Sequence, residues 1–333
     1  MPSSIGGHPP AVRLLRSKLS RPGLSRRRAG RGFTYLDADG SRITDAETLD
    51  RVKGLVIPPA WEQVWISPEP RGHIQATGVD AAGRTQYLYH PEWRAARDAT
   101  KFDHVREVAG RLPRVRRRLR ADLTAGGGLT RERVLAALVR LLDLGMFRVG
   151  SGEYADRDDD PSYGLTTLRP DHVSARGGRT LLRFPGKSGV EHTGTVRDRE
   201  VQAVLADLKR RRRDEERLFA YWDRAGRRWR EVDAAAVNEY LGRISGGRMT
   251  AKDFRTWHGT VKAATELARI GPEQTVTKRR RAVAHAMREV ADLLGNTPAV
   301  ARASYVDPRV IDRYEHGETI ERETEQAVRN LLG

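Results

Sequence analysis

Residues 172–193 read HVSARGGRTLLRFPGKSGVEHT, and this stretch decides the fold class. Strand-like runs at 172–175 and 180–184 flank Gly177-Gly178, a turn signal between two strands. A second turn, Pro185-Gly186-Lys187-Ser188-Gly189, leads into a third run at 190–193. Helical periodicity surrounds this small hairpin sheet. Upstream, Phe102, Val105, Leu112, Val115, Leu119 and Leu123 recur roughly on one face, interrupted by Pro113. Thr130 can cap a helix bearing Val134, Leu138 and Leu141 that ends at Gly145. Downstream, Val201, Val204, Leu205 and Leu208 mark one helix and residues 234–241 another. Thr250 with Asp253 forms a capping-box start for a long helix bearing Phe254, Trp257, Val261 and Leu267. Val283, Met287, Val290 and Leu294 mark the next, closed by Gly295, and Thr297-Pro298 and Asp307-Pro308 each start a short helix.

Ahead of this helical region the pattern is different. Phe33-Thr34-Tyr35-Leu36 runs into the turn signal Asp37-Ala38-Asp39-Gly40, and Asp45 can cap a short helix with Leu49, Val52 and Leu55 on one side. Pro58-Pro59 stops it, and further strand-like runs follow at 63–67, 73–77 and 84–89. In the last of these, Gln86 and Leu88 share one face and Tyr87 and Tyr89 the other. The expected fold is therefore α+β: a small antiparallel β-sheet domain over 32–93, a hinge at 94–100, and a mostly helical domain over 101–320 with a small hairpin sheet. Residues 321–333 read as a C-terminal tail. Residues 1–31 carry eight bases and no acid, and read as a disordered basic tail. Mitochondrial transit peptides share that look; a secretory signal lacks support because no apolar run of sufficient length is present.

Composition narrows the function. Lys plus Arg is 61 and Asp plus Glu 44, a formal net charge of +17 over 333 residues, which favours a polyanionic partner. Only eight of the bases are Lys. No cysteine is present, so thiolate catalysis, disulfides and Cys-ligated zinc are excluded. No apolar run approaches the roughly 18 residues of a membrane span. Gly186-Lys187-Ser188 resembles the end of a P-loop, but Leu181 stands where the first glycine is required, and a strand-like run follows instead of a helix. Asp156, Asp158 and Asp160 resemble the start of a calcium loop, yet Pro161 and Thr167 replace the turn glycine and the closing Glu. What survives is metal-free phosphoryl transfer, in which Arg neutralises charge on nonbridging oxygens and a tyrosine acts as nucleophile.

Local context then selects among the 53 Arg and nine Tyr. Five short blocks, in order, resemble those of the type IB DNA topoisomerases, in the small bacterial and poxvirus branch. They are Val79-Asp80-Ala81-Ala82-Gly83-Arg84-Thr85-Gln86-Tyr87; Leu144-Gly145-Met146-Phe147-Arg148-Val149-Gly150 with Tyr154 and residues 163–168; Phe184-Pro185-Gly186-Lys187-Ser188-Gly189; Lys252-Asp253-Phe254-Arg255-Thr256-Trp257; and Gly295-Asn296-Thr297-Pro298 followed by Ser304-Tyr305. The resemblance covers about residues 33–317.

It implies the following roles. Tyr305 is the nucleophile that holds a 3′ phosphate covalently. Arg148 and Arg255 bind the nonbridging oxygens, and Lys187 at a hairpin tip protonates the departing 5′ oxygen. Asn296 hydrogen-bonds a phosphate oxygen; viral and nuclear members more commonly have His there, and an amide supplies neither charge nor proton. Gln86 and Tyr87 match major-groove contacts, and Tyr154 and Lys252 match DNA-contacting positions. The activity implied is relaxation of supercoiled duplex DNA by a cytoplasmic, nucleoid-associated monomer, with no cofactor, metal or nucleotide. Two alternatives stand beside it. A tyrosine recombinase shares the chemistry but usually has His where Lys252 stands, and its N-terminal domain is usually helical. A noncatalytic architectural DNA-binding protein accounts for the charge but not for Lys187 in its hairpin or Asn296 near Tyr305.

Overall fold

A computed structural model of the protein describes residues 13–145, 147–157, 159, 161–186, 189–211 and 217–333. The chain divides into two compact units, residues 1–101 and 102–333. In the first, β1 (Leu24–Ala29), β2 (Gly32–Leu36), β3 (Glu62–Ile66), β4 (Ile74–Val79) and β5 (Thr85–Tyr89) form one antiparallel sheet in the order β2-β1-β3-β4-β5. Helix α1 (Ala46–Gly54) starts at Asp45, whose carboxylate accepts the Thr48 N–H at 2.8 Å. Val52 from α1 joins Leu24, Ile57, Val64, Ile66 and Ala76 in this unit's core.

The expected tail at 1–31 is corrected by β1. Residues 24–29 are strand, paired with β2 from Ser25↔Leu36 to Ala29↔Gly32. The run of bases masked the strand because Leu24 is the one buried apolar residue there, and the rest of the strand is held by sheet hydrogen bonds. Arg26 belongs to this framework: its guanidinium donates to the carbonyls of Ile57 (2.9 Å), Pro58 (2.6 Å) and Trp61 (3.1 Å) and lies over the Phe33 ring.

Helix α2 runs Pro91–Thr124, so the expected hinge at 94–100 is helical, as suits its three Ala and two Arg. It also continues through Pro113, where an interruption was expected. A proline inside a helix costs about 3 kcal/mol or more, but Leu112, Val115 and Leu119 around it are almost fully buried, and that packing outweighs the cost.

The second unit continues with α3 (Arg131–Gly145) and the short α4 (Gly152–Ala155). The hairpin sheet follows as β6 (Val173–Arg176), β7 (Arg179–Pro185) and β8 (Glu191–Val196), antiparallel in that order. Next come α5 (Arg199–Arg210), a hairpin of β9 (Ala220–Asp223) and β10 (Arg228–Glu231), and α6 (Ala234–Ser245). The sequence reading missed β9 and β10, since each is only four residues long, AYWD and RWRE, too short to show a clear alternation. Helices α7 (Ala251–Ile270), α8 (Val276–Leu294), α9 (Pro298–Ser304), α10 (Pro308–Glu315) and α11 (Glu325–Leu332) complete the unit. Asp253 accepts the Thr250 N–H at 2.7 Å, as the capping pattern predicts. The expected C-terminal tail is corrected by α11, whose Val328 and Leu332 are buried in the main core.

Candidate active site

The site is built around the C-terminal end of α8. Gly295 adopts a left-handed conformation (φ +59°) that ends the helix, and the Asn296 N–H returns to the Ala291 carbonyl at 2.9 Å. Thr297 then caps α9, with Pro298 at its first position. That helix is seven residues long and stops at Tyr305, so its two ends carry Asn296 and the candidate nucleophile.

Helix α7 seats Tyr305. A Cβ on Gly259 would lie 2.8 Å from the Tyr305 carbonyl oxygen, so only glycine lets the two backbones approach. Next to it, the Thr260 hydroxyl donates to that carbonyl at 3.3 Å and accepts the Asp307 N–H at 3.1 Å. Arg255 lies one turn before Gly259 on the same face of α7. Its guanidinium carbon is therefore 5.2 Å from the Tyr305 ring centre. Arg255 is only 5% exposed and donates to the Leu294 carbonyl at 2.6 Å.

Arg148 reaches the same helix end. It donates to the Asn296 Oδ1 at 2.8 Å and to the Gly295 carbonyl at 3.3 Å. Its own backbone is fixed by the Leu165 N–H, which donates to the Arg148 carbonyl at 3.0 Å. The negative end of the α8 dipole and three carbonyl-type oxygens thus gather two guanidinium groups that repel each other. Burial, and then the Arg148 charge, press Arg255 below its usual range, while the Tyr305 phenol opposes that shift. Arg148 forms no ion pair with a carboxylate among the described residues, and its buried Nε has no hydrogen-bond partner there. A tetrahedral anion at this helix end would offer Arg148 charge-assisted hydrogen bonds.

The structure therefore brings together Arg148, Arg255, Asn296 and Tyr305. Lys187 lies outside the described residues; Gly186 before it closes the β7–β8 hairpin, its N–H donating to the Val190 carbonyl at 2.8 Å. Lys252 is exposed in the first turn of α7. Tyr154 is half-buried on α4 with the Arg157 guanidinium 4.6 Å from its ring centre. In the first unit, Gln86 donates to Asp80 at 2.9 Å. Arg84, chiefly, holds that carboxyl down to about 2. Tyr87 is exposed on the opposite face of β5, stacked on Tyr89 with ring centres 6.0 Å apart.

Sequence reading missed two features. His192 on β8 faces both arginines: burial, and then Arg148 and Arg255, push its pKa down. Its signal was its position five residues beyond Lys187. The other feature is Asp143 on α3, which is almost fully buried. It accepts from Arg116 at 2.8 and 2.9 Å, from Arg140 at 2.6 Å, and lies 3.3 Å from the His258 Nε2. Burial favours the protonated acid, but His258 and Arg116 outweigh it, and the carboxyl titrates well below its ordinary range. His258 stands three residues beyond Arg255 on α7, so this network ties α7 to the helix that leads into Arg148.

Asp143→Ala is expected to cost about 2–3 kcal/mol in urea unfolding, because it removes the buried centre of a hydrogen-bonded network, while Arg116 keeps Glu325 and Arg140 keeps Asp198. The depressed folded pKa means that Asp143 contributes its stability above the unfolded carboxylate pKa of about 4 and loses it only as pH falls further, through the folded value. The wild-type advantage over the variant should accordingly persist at pH 5 and fade in stronger acid.

No group of three or more His, Cys, Asp or Glu side chains among the described residues is placed to hold a metal ion. No helix among them is long and apolar enough to cross a membrane.

Residues 90–331 match the family described as "Eukaryotic DNA topoisomerase I, catalytic core", and residues 32–80 match "Bacterial DNA topoisomerase IB, N-terminal domain". The chain is 28% identical over 301 residues to the DNA topoisomerase 1B of Acanthamoeba polyphaga mimivirus, with 88% of each chain covered. It is 22% identical over 319 residues to the DNA topoisomerase 1 of Rabbit fibroma virus (strain Kasza), covering 86% of this chain and 90% of the relative. It is also 22% identical over 277 residues to the DNA topoisomerase 1B of Vaccinia virus (strain Copenhagen), covering 80% and 81%. With the catalytic-core match spanning most of its length and the tyrosine, two arginines and asparagine meeting at one helix end, the chain belongs to the type IB DNA topoisomerases and is an enzyme of that class.

Proposed function

We propose that this enzyme relaxes supercoiled duplex DNA by a reversible transesterification centred on Tyr305. The Tyr305 oxygen attacks the scissile phosphorus and forms a phosphotyrosine linkage to the 3′ end. The bond to the 5′ oxygen breaks, the phenolic proton passes to solvent water, and Lys187 gives a proton to the departing oxygen. Arg148 and Arg255 hold the nonbridging oxygens as charge develops on them, and the Asn296 amide adds a hydrogen bond. The observation that carries this reading is the convergence of Arg148, Arg255, Asn296 and Tyr305 on the end of α8.

One phosphodiester is exchanged for another of comparable energy, so the chemistry requires no nucleotide. Two protein guanidinium groups take the electrostatic part that a metal takes elsewhere. While the strand is open, the free 5′ hydroxyl end rotates and torsional strain is released; its return attack reseals the strand. The excess of positive charge suits backbone-dominated binding to the duplex. Lys252 and Tyr154 contact DNA near the reacting strand. The 32–93 region contributes groove contacts through Tyr87, and Gln86 reads a base edge when its amide leaves Asp80.

The test is relaxation of supercoiled plasmid in EDTA without ATP, followed by denaturant trapping on end-labelled DNA. The expected result is full relaxation and a covalent adduct on the 3′ phosphate, with a free 5′ hydroxyl. An adduct on the 5′ phosphate, or relaxation only after a divalent metal or ATP is added, would overturn the reading.

A further inference from the structure

His192 sits where the hairpin meets the end of α8. A Cβ on Gly186 would lie 2.0 Å from its Cδ2 and 2.5 Å from its Nε2. A Cβ on Gly295 would lie 2.7 Å from its Cε1 and 3.3 Å from its Nε2. Both distances to the nearest ring carbon are too short for real side chains, so one imidazole fills the side-chain space of two glycines. Gly186 closes the β7–β8 hairpin, and Gly295 precedes Asn296. Behind the ring, Phe184 packs at 5.6 Å between centres, and Phe184 in turn meets Phe147, the neighbour of Arg148. A row of three rings thus links the base of the hairpin to the segment that carries one arginine and the turn that carries its partner.

The charged groups facing His192 are Arg148, from the segment after α3, and Arg255, from α7. Its strand neighbour Glu191 pairs with Arg183 at 2.8 Å on the other side of the hairpin. His172, which approaches Phe184 at 6.2 Å, is itself pushed toward the neutral form, first by burial. A charged ring at position 192 would add a third cation to a cluster built to receive an anion.

We propose that His192 is a positioning residue: as a wedge between Gly186 and Gly295, it holds the base of the hairpin against the Arg148–Asn296 pair, and the general-acid step of Lys187 depends on that seating. The inference rests on Lys187 acting as general acid to the 5′ oxygen. In that step the P–O5′ bond breaks and the ammonium proton passes to O5′.

The experiment is single-turnover cleavage by the full chain on two suicide substrates, one with a 5′ oxygen leaving group and one with a 5′ bridging sulfur. A thiolate departs without a proton, so only defects of the acid step disappear on the sulfur substrate. His192→Ala is expected to slow cleavage of the oxygen substrate about 10–100-fold, part of the roughly 10²–10⁴-fold worth of general acid catalysis. Cleavage of the sulfur substrate should stay within about threefold of wild type, far less than one acid step is worth. His192→Gln, neutral and of similar reach, should restore most of the rate, whereas His192→Lys should not. His192→Gln also carries the test if the alanine variant does not fold. A His192→Ala defect equal on both substrates, or no defect, overturns the proposal. Lys187→Ala serves as the reference: if sulfur fails to rescue it, the general-acid reading itself is wrong. If sulfur rescues Lys187→Ala but not His192→Ala, the positioning role alone is wrong.

Discussion

Tyr305→Phe is expected to abolish both the covalent adduct and plasmid relaxation while leaving the fold and DNA binding in place. The substitution removes one oxygen. The ring keeps its contacts with the core and its place 5.2 Å from the Arg255 guanidinium. The loss should be on the order of 10⁶-fold, the scale on which enzymes lose rate when their nucleophile is deleted. No other tyrosine at this end of the chain can take over. Tyr314, the next one, is fully buried, and its hydroxyl donates to the Gly271 carbonyl at 2.9 Å. Burial first of all raises its pKa, the opposite of activation. The measurement is adduct yield on end-labelled duplex, with urea unfolding and gel-shift affinity as controls. Retention of even a hundredth of the wild-type adduct rate would remove Tyr305 from the chemistry.

Arg255→Ala carries the second largest expected effect. Deleting one preorganised donor from a site that stabilises developing negative charge costs about 10²–10³-fold in rate. Arg255 should reach at least that range, because it is nearly buried and its guanidinium lies beside the ring of the nucleophile. Arg255→Lys keeps the charge but loses the rigid planar fork, whose separate N–H groups meet the Leu294 carbonyl and a phosphate oxygen in fixed directions. It should fall between wild type and alanine. Single-turnover cleavage at saturating enzyme separates this effect from weakened DNA binding. An alanine variant within tenfold of wild type would mean that the guanidinium serves the fold and not the transition state. Arg148 and Arg255 share one anion site, so their losses should combine by less than the product of the single effects.

The parts of the site differed in how visible they were beforehand. The caps, the turns and the hairpin were legible because each depends on a few neighbouring residues. Thr250 with Asp253 and Gly295 with Thr297-Pro298 behaved as their local chemistry requires. Strand β1 was hidden under arginines, since its identity comes from pairing with β2 and β3 and not from an apolar alternation of its own. Helix α11 read as a tail because its short apolar face has meaning only against a core assembled elsewhere.

By itself the sequence determined the types of most elements, the two kinds of domain and the candidate chemistry, because backbone preference and side-chain reactivity are written in short stretches of residues. Tertiary structure alone decided that Arg148 and Asn296, 148 positions apart, would share a hydrogen bond. It alone enclosed Asp143 among cations and fitted His192 into the space left by two glycines. The physical reason is loop closure: contacts at such separations repay their entropic cost only when the whole core forms at once, so no local pattern records them.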